Sequence, residues 1–141
     1  TIYSLKSFLN YSFIKSEYIR SATPGIVGKN VEFVPENNIK TGLQFGYKNL
    51  ALNLQYSFIS NQYTDSSNAV EGNLSGVIGI IPSYKLLDFS GSYTLNKIKF
   101  EFGINNFLNE AYFTRRATGY PGPGIIPSPN RNIYLTTQIK L

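Results

Sequence analysis

Six segments of this chain alternate apolar with polar residues at a period of two, and no other feature of the sequence limits the possible folds so tightly. In the first, Tyr3, Leu5, Ser7, Leu9, Tyr11 and Phe13 alternate with a set that includes Ser4, Lys6, Asn10 and Ser12. Ile39, Leu43, Phe45 and Tyr47 then oppose Asn38, Lys40, Gln44 and Lys48, and Leu50, Leu52, Leu54, Tyr56 and Phe58 oppose Asn53, Gln55, Ser57 and Asn61. Leu87, Phe89, Tyr93 and Leu95 face away from Asp88, Ser90, Ser92 and Thr94. Ile98, Phe100, Phe102 and Ile104 alternate with Lys99, Glu101, Gly103 and Asn105, and Ile133, Leu135, Ile139 and Leu141 with Asn132, Thr136, Gln138 and Lys140. Side chains of an extended strand point alternately to its two faces, so each segment reads as a strand of about ten residues with one oily and one wet side. Helices find no support, because no segment returns its apolar residues at every third and fourth position with cap signals.

The connections sharpen this reading. Only Lys48-Asn49 and Asn96-Lys97 separate the second strand from the third and the fourth from the fifth, which predicts tight hairpins. The other connections, Glu17 to Glu36, Thr64 to Ser83 and Phe113 to Asn130, are long and rich in Gly, Pro, Asn and Ser. Short and long connections thus alternate strictly. In an antiparallel up-and-down meander every tight turn lies at one rim and every long loop at the other, the asymmetry of outer-membrane barrels. Gly79-Ile80-Ile81-Pro82-Ser83 recurs as Gly124-Ile125-Ile126-Pro127-Ser128. Proline cannot donate to a strand ladder but is admitted at a strand's first residue, so both copies are expected where a long loop passes into a descending strand.

Composition excludes several functions. The chain has no Cys and no His, which removes disulfides, thiolate sites, the commonest metal ligand and the commonest general base. Its net charge is +5, but the 13 Lys and Arg are scattered and form no dense stripe, so nucleic acid is not an expected partner. No apolar run approaches the roughly 18 residues of a membrane-spanning helix. The start, Thr1-Ile2-Tyr3-Ser4, has no initiator Met, basic region or cleavage site and falls inside a strand pattern, so the chain reads as a piece of a longer protein.

A soluble antiparallel β-sandwich also alternates apolar and polar positions. Three features favour a membrane barrel instead. The strands are nearer the nine to eleven residues that cross a bilayer at a tilt than the five or six usual in soluble sheets. Tyr3, Tyr47 and Tyr93 near the short turns, and Phe13 and Phe58 near the long loops, are placed as interfacial girdles are. The opposite face carries small polar groups with Lys6, Lys40, Asp88, Lys99, Glu101 and Lys140, as a wet lumen would. A membrane barrel leaves no unpaired edge in hydrocarbon and has at least about eight strands, so six strands must take the missing wall from elsewhere. A passive porin or anchoring barrel is the second reading, and a soluble binding sandwich the third.

Four short motifs go further. Asn105-Asn106-Phe107-Leu108-Asn109-Glu110-Ala111-Tyr112-Phe113, expected in the penultimate strand, looks like the pattern NNLF(D/N)xxY. Gln62-Tyr63-Thr64-Asp65 with Asn68 looks like QYTDxxN, Ile81-Pro82-Ser83-Tyr84 with Asp88 like IPSYxxxD, and Phe33-Val34-Pro35-Glu36 like yVPe. In this order and spacing, from about Phe33 onward, the chain resembles TonB-dependent outer-membrane receptors. The last loop, Phe113 to Ser128, is most similar to the ferric-citrate-type branch. The resemblance implies a 22-stranded barrel filled by an N-terminal plug. Such a receptor binds a ferric siderophore or ferric citrate outside the cell and moves it inward with energy passed by TonB.

On this resemblance residues 1–141 would supply the C-terminal part of the barrel, about strands 17 to 22, with the plug and the TonB-contacting part absent from them. Outer-membrane lipid and lipopolysaccharide would surround the wall. Iron would be cargo, and no cofactor, resident metal or enzymatic activity is expected. The family usually ends in Phe; this chain ends in Leu141, which keeps the alternation but departs from the pattern tied to barrel assembly.

Arg115, Arg116 and Tyr120 in the last long loop are the candidate ligand-binding residues, since guanidinium groups can hold the carboxylates of an iron chelate through paired hydrogen bonds. The competing role for these cations is a solvated or lipopolysaccharide-facing rim. Asn105 and Asn106 are expected to be structural, marking a bulge or rim. Tyr120-Pro121-Gly122-Pro123-Gly124 lacks the following Lys-Ser/Thr of a phosphate loop and is read as loop stiffening. Asp65, Asp88, Glu101 and Glu110 form no nucleophile-base pair or metal cluster, and Asp65 is expected to bond within its own loop.

Overall fold

The computed structural model describes residues 3–141; Thr1 and Ile2, at the chain start read above as mid-strand, lie outside them. Eight strands follow one another: β1 (Tyr3–Phe13), β2 (Asn37–Tyr47), β3 (Leu50–Ile59), β4 (Tyr84–Leu95), β5 (Ile98–Asn105), β6 (Phe113–Ala117), β7 (Gly124–Pro127) and β8 (Asn132–Ile139). Six of them form one sheet in the order β1-β2-β3-β4-β5-β8, every neighbouring pair antiparallel, while β6 and β7 pair with each other alone. The all-β, antiparallel up-and-down meander is thus present. At its two tight turns the first residue, Lys48 or Asn96, takes a left-handed conformation, with φ of 49° and 53°. Two-residue turns of this hand match the twist of the strands they join.

Register carries the alternation from strand to strand. Tyr3 lies opposite Tyr47, Tyr47 opposite Leu50, Leu50 opposite Tyr93 and Tyr93 opposite Phe100, which makes a nearly all-aromatic row along the short-turn rim. Farther in, Leu43, Leu54, Phe89, Ile104 and Ile133 form another row on the same face. This face is bare: Leu5, Leu9, Ile133 and Leu135 are between 67% and 75% exposed, and no second layer covers them among the described residues. The described residues thus form a single-layered wall, whereas a sandwich packs a second sheet on the first.

The opposite face is polar, with Lys99 and Glu101 paired on it. Phe8 and Tyr134 break its pattern, and the register explains both. Phe8 pairs with Gly42 and Tyr134 with Gly103, and a Cβ placed on either glycine would come within 2.5 Å of the ring across from it. The rings fill notches that glycine leaves in the wall.

Three expectations need correction. The last long connection is not structureless, because β6 and β7 form a small hairpin inside it, with a bulge between Phe113 and Arg115. The segment from Asn105 to Phe113 is not part of the penultimate wall strand. Only Asn105 belongs to β5; Asn106 turns away at φ 51°, and its N–H leaves the ladder for Asp88 Oδ1 at 2.8 Å. Of the two Gly-Ile-Ile-Pro-Ser copies, the first does lead into β4, but the second is β7 itself, with β8 starting only at Asn132.

The three long loops form a tied layer over one end of the sheet. Phe33 N–H in the first donates to Tyr63 O in the second at 2.9 Å. Asn68 mimics a strand neighbour, accepting from Asn30 N–H at 2.7 Å and donating to Asn30 O at 2.8 Å. The buried apolar side chains of the described residues, Ile26, Ile81 and Ala117, all belong to this layer.

Candidate binding site at the loop end of the sheet

The β6–β7 hairpin leans over the second loop. Its Phe113 ring lies 5.2 Å from the Arg116 guanidinium, whose Nη1 donates to Gly76 O at 2.8 Å and Nη2 to Ile80 O at 3.0 Å. Backbone meets backbone beside this contact: a Cβ on Gly76 would stand 3.3 Å from the Cα of Gly124. Glycine is needed at both positions, since each also has positive φ.

Behind the hairpin is an open depression of about 650 Å³ whose lining includes Phe33, Gln62, Arg115, Arg116, Thr118 and Tyr120. All three residues singled out in the sequence therefore stand around one hollow. Tyr120 is almost fully exposed and Arg115 is exposed, while Arg116 is half-buried. No acid lines the hollow, and the ion pairs among the described residues, Lys15 with Glu17 and Lys99 with Glu101, leave both guanidiniums without a carboxylate. Two uncompensated cations beside hydroxyl and amide groups make a surface for an anion. Phe33 and Gln62 carried no ligand role in the sequence reading. Both sit inside the quoted motifs, but only the folding of the first and second loops onto the third brings them here.

The remaining candidates are structural. Asn106 is buried, donating from Nδ2 to Glu110 O at 2.9 Å and accepting from Glu110 N–H at 2.8 Å. Asn105 bonds Asn132 across the β5–β8 pair, so the tandem asparagines close the rim. Asp65 accepts from Ser67 N–H at 2.9 Å and from the Ser67 hydroxyl, within its own loop. In the first loop Tyr18 donates to Glu32 Oε2 at 2.5 Å, and this bond holds the phenol above its ordinary pKa. A second hollow, about 490 Å³, lies on the polar face of the sheet near the short turns. Both a cation, Lys6, and an acid, Glu101, line it, so it lacks the one-signed character of the loop-end hollow.

Comparison with known proteins accords with this architecture. The family described as "TonB dependent receptor-like, beta-barrel" matches residues 1–107. No curated protein sequence matches. Among solved structures the chain is similar to the ferric citrate transporter FecA in its unliganded form, at 23% identity and a TM-score of 0.85, over 96% of this chain and 21% of that one. It is also similar to the ferric-catecholate import receptor Fiu from K12 E. coli, at 17% identity and 0.75, over 96% of this chain and 18% of that one. The ferric yersiniabactin uptake receptor FyuA from Yersinia pestis gives 17% and 0.75, over 96% and 21%. The chain spans about a fifth of the length of these solved receptors. They are receptors and transporters rather than enzymes, and the likeness to them is one of fold. With the family matched over more than three quarters of its residues, 107 of 141, the chain belongs to the TonB-dependent receptor-like β-barrel family.

Proposed function

We propose that this chain is the C-terminal wall, about strands 17 to 22, of an outer-membrane barrel that takes up a ferric chelate with energy from TonB. The bare apolar face then turns to lipid, its aromatic row sits at the periplasmic interface, and the polar face turns to the lumen and plug. Unpaired edges at β1 and β8 close against upstream strands, since hydrocarbon tolerates no free backbone groups. The tied loops face outward, toward lipopolysaccharide and medium. Arg115, Arg116 and Tyr120 line the hollow that receives the chelate, a ferric siderophore or ferric citrate. Iron is cargo.

The observation that carries the ligand reading is the hollow with two guanidiniums and no acid. Neighbours that are ferric citrate and siderophore receptors agree with it. Iron-starved cells expressing the full-length receptor should accumulate radiolabelled iron from ferric citrate or a siderophore panel only while TonB is intact. Accumulation that persists without TonB would mean a passive pore. Within that assay Arg115→Ala should weaken chelate binding by about tenfold, the effect of one lost charged hydrogen bond.

A further inference from the structure

We propose that Arg116 is a positioning residue that locks the second long loop onto β6, so that Arg115 and Tyr120 meet an anionic chelate in a fixed arrangement; this rests on the ligand reading of the hollow. Both Nη atoms are committed to backbone carbonyls, Gly76 O and Ile80 O, on either side of Gly79. The Nε atom is sealed from solvent and has no partner, and the guanidinium lies over the Phe113 ring. The loop wraps the fork closely. A Cβ on Gly79 would sit 2.9 Å from the Cα of Gly72 and 3.2 Å from Arg116 Nη2.

Two of the five N–H donors of Arg116, one on each Nη, are held by these carbonyls, which fixes the plane of the fork against the loop. The charge of the fork stays uncompensated. It meets carbonyl dipoles and a ring but no carboxylate, so its field still reaches the hollow it lines. Arg115 has the complementary character: adjacent in β6 and exposed, it makes no side-chain hydrogen bond or ion pair among the described residues. One arginine holds the site together and the other is free to bind. A planar fork can span two carbonyls at once, whereas a lysine ammonium is a point charge that satisfies one direction at a time.

The test uses the full-length receptor with Arg115→Ala, Arg115→Lys, Arg116→Ala and Arg116→Lys, each checked for barrel assembly by its heat-shifted mobility. Two quantities are read: affinity for ferric citrate, and protease nicking of residues 72–80 without ligand. Both Arg116 variants should increase nicking and weaken binding by about tenfold, lysine rescuing neither. Arg115→Ala should weaken binding with nicking unchanged, and Arg115→Lys should recover part of the loss. If Arg116→Ala does not assemble, Arg116→Lys, which keeps the charge, carries the test. Wild-type affinity in Arg116→Lys, or unchanged nicking in the Arg116 variants, overturns the lock. Raised nicking in the Arg116 variants with full binding in Arg115→Ala overturns instead the ligand reading of the hollow.

Discussion

In the wall, Leu5, Leu9 and Leu135 lie bare on a smooth face; in the loop layer above it, Ile81 is wholly sealed and Ala117 nearly so. The two regions obtain their order from different sources. Each wall strand is held by a ladder on one or both sides, and no described residue covers its oily face, which on the proposed reading is buried in lipid. The loops are long and polar, yet Ile26, Ile81 and Ala117 are each buried within them, and hydrogen bonds tie one loop to another. A change that matters in one region should therefore leave the other nearly untouched.

The largest expected effect is in the wall. Leu54 stands midway along β3 between Leu43 and Phe89, and Leu54→Arg would put a charge near the middle of the hydrocarbon at about 2–4 kcal/mol. Assembly of the full-length barrel, read by heat-shifted mobility, should fail or fall sharply. Gln55→Arg, one residue along and facing the other way, should assemble normally. Equal damage from both would erase the distinction between the two faces.

A smaller effect belongs to the loops. Ile81→Ala empties the one fully enclosed large side chain among the described residues, at the base of the second loop, and should cost about 2 kcal/mol of local stability. Because that cost stays in the loop layer, nicking of the second loop should rise while barrel assembly is unchanged. Lost assembly would show that the loops support the wall after all.

The smallest effect concerns the first loop. The Tyr18 phenol donates to Glu32 and is held above its ordinary value of 10.0. A raised folded-state value favours the protonated form, so this contribution is complete below pH 10.0 and is lost as pH climbs through the raised value. The difference in phenolate absorbance between the native receptor and Tyr18→Phe should show one tyrosine ionising above 10.0. A midpoint at or below that value would mean that this tie is not made.

Much of the wall is legible in the sequence because its physics is local. Alternation fixes which side chains share a face, and the Lys48-Asn49 and Asn96-Lys97 turns fix which strands are neighbours. The loop layer is less legible, because its contacts join residues tens of positions apart. The charge of Arg116 marks it as a ligand candidate, and nothing nearby in sequence marks Gly76 O and Ile80 O as its acceptors. The β6–β7 hairpin did leave a signal: two short runs, Phe113 to Ala117 and Gly124 to Pro127, flank a turn rich in Gly and Pro. Proline at the end of the second run masked it.

The glycine notches of the wall, to which Gly91 beneath Phe102 adds a third, have an evolutionary consequence. Gly42 and Phe8, Gly91 and Phe102, and Gly103 and Tyr134 are each a bare backbone spot and the ring that occupies it, with the rings reaching to within 2.6 Å of where a Cβ would be. Neither member can gain or lose bulk alone without a clash or a hole. Such pairs should drift together across descendants of this sequence, each behaving as a single inherited unit although its two halves lie 11 to 34 positions apart along the chain.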